Sequence, residues 1–203
     1  MVKLFFMLGS MLILGWAALH TGHFKSYVNS APYAMGFIKL FFLGTLGELI
    51  KYRISKKTWK LDYILERAIF WGLFGIWFTN AFPFFAGGTG AIITKGLWWD
   101  NFQALSSSLW INIFGGYALY MMIIHEYCNH LIKTRYHGWR LSNFAKNVDR
   151  HFIFCFLPMT LIFWVCAHTI TFSLPPDLQI LSAAVLAIAL GIFLSVGRRI
   201  KTA

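Results

Sequence analysis

Six long apolar segments, separated by shorter polar or basic stretches, constrain this chain more than any other feature of its sequence. An α-helix needs about 20 mostly apolar residues to cross the hydrocarbon core of a bilayer, and it satisfies its own backbone hydrogen bonds there. The sequence therefore predicts an all-α integral membrane protein, a bundle of five to six transmembrane helices that forms a single membrane domain over residues 1–203. The predicted spans are 4–19, 33–54, 67–86, 102–124, 152–172 and 178–196.

The first span, within residues 1–20, has two interpretations. It follows Lys3 and is the shortest of the six, which is typical both of a cleaved signal peptide and of a retained signal anchor. Ala17 and Ala18 only approximate the small residues of a cleavage site. We therefore expect an extra N-terminal transmembrane helix that is retained.

Composition excludes a water-soluble monomer. Only 12% of the residues are charged and 58% are hydrophobic, whereas a soluble domain carries about 25% charged residues. The chain also contains 21 Phe and 9 Trp, residues that collect in lipid and at its interface with water. So few charges cannot cover the surface of a protein of this size in water.

The distribution of positive charge predicts how the spans are oriented. The net charge is +11, and fifteen of the 18 Lys and Arg residues fall on one side of the predicted topology. Lys25 and Lys95 fall on the other side, and Lys39 lies inside a span. Because basic loops stay in the cytoplasm, both termini are predicted to be cytoplasmic. Anionic headgroups of membrane lipids at the cytoplasmic face are the expected partners of the basic cytoplasmic segments. A nucleic-acid partner is not expected, since the charges sit in short segments between apolar runs.

Small residues recur at helical spacing in several spans, which predicts close packing between helices. In the fourth span, Ser108, Asn112 and Gly116 form one such stripe, which could instead line a wet pathway because two of its members are polar. The predicted packing positions are Gly44, Gly72, Gly116, Ala187 and Gly191.

Two charged residues, Lys39 and Glu48, interrupt the second span near its two ends. A charge at the bilayer centre costs at least about 2.5–3.5 kcal/mol. Lys39 is predicted to extend its amine outward to the interface. Glu48 is predicted to form an ion pair with Arg53 or with Arg67 of the next span. The alternative interpretation places Glu48 on the path of a solute.

Polar residues also lie near the outer end of the fifth span, at His168 and Thr171. His168 is either a buried, hydrogen-bonded imidazole or a proton-sensitive element of a pore, because histidine titrates near neutral pH. In the third span, Pro83 predicts that the helix kinks or ends there.

Catalytic chemistry has little support in the sequence. His125 and His130 are five residues apart, whereas the zinc-binding histidines of metalloproteases lie four apart on one helix face. With His137 and His151, they are interpreted as a polar cluster at headgroup level, and a metal site for a membrane enzyme is the alternative. We predict no enzymatic activity, no catalytic residues, no metal and no cofactor.

Short motifs follow one another in a characteristic order from residue 37 to the end of the chain. They are Gly47-Glu48, Asp62, Arg67, Gly72, Asp100-Asn101, Trp164-Val165, His168, Thr171-Phe172, Pro175-Pro176 and Phe193-Leu194-Ser195. In this order they resemble the Mpv17/PMP22 family of small multi-helix membrane proteins, over residues 37–203. The resemblance implies an organelle inner or peroxisomal membrane in eukaryotes. Because this chain looks like a divergent, bacterial member, we expect it in the cytoplasmic (inner) membrane.

The resemblance implies a pore or channel for a small solute, or a role in membrane homeostasis. The residues predicted to line such a pore, or to form its internal polar pairs, are Glu48, Arg67, Asn112, His168 and Thr171. A small solute and further copies of the chain in a homo-oligomer are then the expected partners beside lipid. The competing hypothesis is a non-conducting scaffold or assembly factor, which docks a partner or anionic lipid through the basic cytoplasmic loops.

Overall fold

A computed structural model describes residues 2–99, 102–137, 139–147 and 157–200 of the chain. These residues form nine α-helices and one π-helical segment, and no strand occurs among them. The π-helical segment Trp110–Phe114 directly follows the fifth α-helix. The α-helices are α1 (Val2–Leu19), α2 (Thr21–Ser30), α3 (Pro32–Lys56), α4 (Ile64–Thr94), α5 (Gln103–Leu109), α6 (Tyr117–Lys133), α7 (Leu141–Asn147), α8 (Leu157–Phe172) and α9 (Pro176–Ile200).

Three of these helices, α1, α3 and α4, are long and apolar enough to cross a membrane. The bent pair of α5 and α6 is a fourth if it crosses as one span, and the described apolar parts of α8 and α9 are shorter. Large apolar side chains cover the outer face of α1, where Met11 is 67% exposed and Leu12 is 73% exposed. Exposing such an apolar surface to water is unfavourable, whereas contact with lipid chains is not. These features are those of a helical membrane protein.

The helices form two compact units: unit 1 comprises Met1–Asn80 and Pro175–Ala203, and unit 2 comprises Ala81–Leu174. In unit 1, α3 packs against α1, α2 and α9. A core of fully buried Phe6, Leu49 and Ala68 joins α1, α3 and the first half of α4. The side chains packed around it are Phe41, Phe42, Trp59, Leu61 and Ile64.

In unit 2, α8 packs against α5, α6 and the π-helical segment. Ile111 and Ala118 are buried apolar residues of the broken helix, and Ala167 is their buried counterpart on α8. Buried polar side chains of the same elements form a hydrogen-bonded network within unit 2.

The predicted end of the third span at residue 86 is wrong, because α4 continues to Thr94. Of the two effects predicted for Pro83, ending the helix is therefore contradicted. The proline removes one backbone donor, but Ala81 and Phe82 just before it are buried and hold the helix in place. Most of the connection between the first two predicted spans is the helix α2.

Candidate functional site

The polar network of unit 2 lies beside a break in a helix. After α5, the Gly115 N–H donates to the carbonyl of Trp110 at 2.7 Å, five residues back, which closes the π-helical segment. Gly116 then takes a left-handed conformation, with φ of 64°, and α6 leaves at an angle of 53°. The prediction of one continuous helix over 102–124 is therefore wrong. Gly116, predicted as a packing position, is the left-handed residue of the break, a conformation that glycine adopts without strain.

Asn112, on the π-helical segment, is the centre of this network and is 1% exposed. Its amide N–H groups donate to the Ser108 carbonyl at 2.7 Å and to the Trp164 carbonyl of α8 at 3.2 Å. The Ser108 hydroxyl donates to the carbonyl of Val165 at 2.6 Å. Hydrogen bonds from two side chains thus join the broken helix to backbone groups of α8.

His168 on α8 completes the network. Its Nδ1–H donates to Asn112 Oδ1 at 3.1 Å, because the amide N–H groups of Asn112 are used elsewhere. The ring stacks on Trp164 with centroids 4.9 Å apart and meets Phe82 edge-on at 5.6 Å. With the proton on Nδ1, Nε2 is left as an acceptor. No side chain in the described part of the chain donates to it.

Thr171 lies one turn beyond His168 and is fully buried. Its hydroxyl donates to the carbonyl of Ala167 at 3.1 Å. Ser106 and Ser107, which precede Ser108 on α5, are also buried. Of the five predicted lining residues, the structure joins Asn112 and His168 directly and places Thr171 one turn beyond His168 on α8.

The other two predicted residues, Glu48 and Arg67, form a salt bridge within unit 1, as expected from the sequence. Arg67 Nη1 lies 2.8 Å from Glu48 Oε2, and the side chains of Arg67 and Glu48 are only 11% and 13% exposed. Trp71 Nε1 donates to the other carboxylate oxygen at 3.1 Å. Arg67 Nε also donates to the carbonyl of Asp62 at 3.0 Å. The carboxylate therefore ties α3 to α4, and the guanidinium ties both to the connection between them.

Lys39 does not extend its amine to the interface, so this prediction is wrong. The residue is 1% exposed. Its Nζ donates to the carbonyl of Asp177 at 3.0 Å and lies 4.9 Å from the centre of the Phe24 ring. The reason is that α2 and the start of α9 cover this end of α3, so the amine meets protein before it reaches solvent.

Two of the predicted packing positions, Gly44 and Gly72, lie at helix contacts of unit 1. A Cβ on Gly44 would lie 2.5 Å from the Trp71 ring, and one on Gly72 would lie 2.4 Å from the Phe37 ring. Ala187 is half-buried on α9, which packs against α3. The surroundings of Gly191, and those of the motif 193–195, lie outside the described side chains.

The histidines at the end of α6 are spread out rather than convergent. His125 Nδ1 lies 3.4 Å from Asn129 Nδ2, and the His130 ring packs edge-on against Phe144. Among the described residues, no group of three or more His, Cys, Asp or Glu side chains could hold a metal ion. His151 and the Asp100-Asn101 motif lie outside the described residues.

Sequence reasoning missed the residues that hold the predicted ones in place. Trp164 supplies a stacking face and a carbonyl to the network, and Trp71 supplies a second donor to Glu48. A signal existed for Trp164, which lies four residues before His168 and therefore on the same helix face. For Lys39, the signal was Asp177, since both lie near the same end of their predicted spans.

No protein-family model matches the chain, and neither a curated protein nor a solved structure is significantly similar to it. The resemblance to the Mpv17/PMP22 family therefore stays a prediction.

Proposed function

We propose that the chain is a six-span protein of the bacterial cytoplasmic membrane, of the Mpv17/PMP22 type, which lets a small polar solute cross the bilayer. Both termini face the cytoplasm in this proposal. The observation that carries it is the break between α5 and α6 beside the buried side chains Ser108, Asn112 and His168. Irregular backbone at membrane depth is tolerated where it is buried in protein or lines a water-filled cavity. Transporters often bind their substrates at such broken helices.

The chemistry of the network suggests the class of solute. Its side chains are an amide, an imidazole and a hydroxyl, without a carboxylate or ammonium group among the three. Such groups exchange hydrogen bonds with a small neutral solute but do not compensate a full charge. His168 Nε2 is the acceptor that a hydroxyl or amide donor of the solute would reach. Glu48 and Arg67 have a structural role here, because each is already bonded to the other.

Solute flux into liposomes tests this proposal. Liposomes that contain the purified protein are expected to swell faster in glycerol or urea than protein-free liposomes of the same lipid. Equal swelling rates over a range of pH would contradict the proposal. Single-channel recording in planar bilayers adds a second measurement, in which neutral-solute flux with little ion current is the expected result.

Replacing Asn112 with leucine is expected to reduce this flux about fivefold or more, since an unsatisfied buried polar group costs about 1–3 kcal/mol. The change removes the acceptor of His168 Nδ1 and the donor to the Trp164 carbonyl. Asn80→Leu is the matched control, because Asn80 is exposed and only accepts a hydrogen bond from Tyr33 in unit 1. Flux is compared at equal amounts of folded, monodisperse protein. Equal loss in the two variants would contradict a role for the network.

A non-conducting scaffold or assembly factor is the second candidate, and one observation favours it. The amide of Asn112 and the hydroxyl of Ser108 are already hydrogen-bonded within unit 2. Side chains that are hydrogen-bonded in this way stabilise a fold without any solute. Silent liposomes, together with a stable partner recovered by cross-linking, would favour this candidate over the pore.

A further inference from the structure

A cleft of about 290 Å³ opens in unit 1 where α1 ends and α9 begins. Its walls come from three helices and from the residue that precedes α9. Ala17 of α1, Phe24 of α2 and Leu178 of α9 make it largely apolar, and Lys25 and Asp177 contribute its charged groups. This site is separate from the polar network of unit 2 and does not depend on the proposed pore.

The position of the cleft fixes its depth in a bilayer. It lies near the end of α1, at Ala17, and at the start of α9, at Asp177 and Leu178. The ends of apolar spans coincide with the headgroup region of the bilayer. A cleft at this level therefore faces lipid headgroups, with its apolar walls next to the first carbons of the acyl chains.

The balance of charge around the cleft favours an anion. Lys39 lies behind the cleft, where its amine contacts Phe24 and the Asp177 carbonyl. The negative charge of Asp177 offsets the charge of Lys39. Lys25 is exposed and forms no ion pair among the described residues, so its charge is the surplus one. The N-terminus of α9, a helix of 25 residues, adds a partial positive charge beside it.

We propose that this cleft binds the headgroup of an anionic phospholipid, with Lys25 on the phosphate diester. A monoanionic phosphate matches the single surplus charge. A lysine near a membrane surface contributes about 1 kcal/mol to the binding of anionic lipid, which corresponds to about a fivefold change in affinity. The volume is at the lower end of the range for ligand sites, which suits a headgroup rather than a whole lipid.

Lipid retention by the full-length protein in detergent tests this proposal. The protein is mixed with equal amounts of phosphatidylglycerol and phosphatidylcholine that carry the same acyl chains, and the bound lipids are counted by native mass spectrometry. The wild-type protein is expected to retain phosphatidylglycerol preferentially. Lys25→Ala is expected to retain one phosphatidylglycerol fewer, or to bind that lipid about fivefold more weakly. Lys95→Ala is the matched control, because Lys95 is also exposed and is the other lysine predicted on that side of the membrane.

A second variant is expected to change the retention of phosphatidylglycerol in the opposite direction. Asp177→Asn keeps the backbone carbonyl that holds Lys39 but removes a negative charge from the wall, so it is expected to retain phosphatidylglycerol more tightly. Equal retention in the wild type and Lys25→Ala would overturn the proposal, as would a decrease in Asp177→Asn. Stabilisation by millimolar inorganic phosphate, without any preference for phosphatidylglycerol, would overturn the assignment to a lipid and indicate a site for free phosphate.

Discussion

A Gly75→Ala variant is expected to lose about 3 kcal/mol of unfolding free energy, at the upper end of the usual cost of overpacking. The added Cβ would lie 2.0 Å from the carbonyl oxygen of Gly36 and 3.1 Å from the Cβ of Leu40. The first contact is with backbone, so no side-chain rotation relieves it. The helices α3 and α4 would have to separate, and they would lose dispersion contacts along their interface in unit 1. Reversible unfolding of the detergent-solubilised protein in increasing sodium dodecyl sulfate measures the loss.

Gly87→Ala is the matched control for this experiment. Gly87 lies on the same helix, is exposed, and has nothing within 4 Å of the position that a Cβ would occupy. Alanine there is expected to be neutral or stabilising by up to about 1 kcal/mol, since it has the higher helix propensity. Equal stability of the two variants would mean that α3 and α4 are not in contact at Gly75.

The close approach of these helices shows how far a sequence pattern predicts packing. The predicted packing positions include Gly44 and Gly72, and Gly72 lies four residues after the small residue Ala68. Gly75 falls one residue short of the next four-residue step. Yet a Cβ on Gly75 would lie 2.0 Å from the Gly36 carbonyl oxygen, closer to its neighbour than a Cβ on Gly44 or Gly72. Residues three and four apart share one helix face. A strict four-residue spacing therefore leaves out some residues of that face. Which of the glycines makes the contact depends on the point and the angle at which the two helices cross. A single sequence does not specify either of them.

The break in the fourth predicted span was less accessible to sequence reasoning. Hydropathy continues through Gly115 and Gly116, so a window of 20 residues indicates one unbroken helix. A pair of adjacent glycines is a local signal for a turn, but the apolar context favours a helix. The π-helical segment also depends on tertiary contacts, because Asn112 gains bonds to α8 only when that helix is in place. Asn112 and His168 were both predicted as functional residues, while the hydrogen bond between them was not predicted.

Replacing Glu48 with leucine is expected to destabilise the protein by about 3 kcal/mol, because removing one partner of a buried ion pair leaves the other charge uncompensated. Arg67 would remain 11% exposed beside α3, with the carbonyl of Asp62 as its remaining acceptor among the bonds described above. The indole N–H of Trp71 would lose its acceptor as well. Unfolding in sodium dodecyl sulfate again provides the measurement, and Glu66→Leu, which replaces a half-buried glutamate at the start of the same helix as Arg67, is the control.

The double variant Glu48→Leu, Arg67→Leu separates the ion pair from general effects of the leucines. Neither charge remains in the double variant, so its loss of stability should be smaller than the sum of the two single losses. An interaction energy of about 1–3 kcal/mol is expected from this cycle for side chains in direct contact. Additive losses would show that Glu48 and Arg67 do not stabilise each other, and Glu48 would then return as a candidate for the solute path. A large interaction energy with unchanged solute flux per folded protein would assign the pair to the fold alone, and the network of Asn112 and His168 would remain the site of the proposed transport.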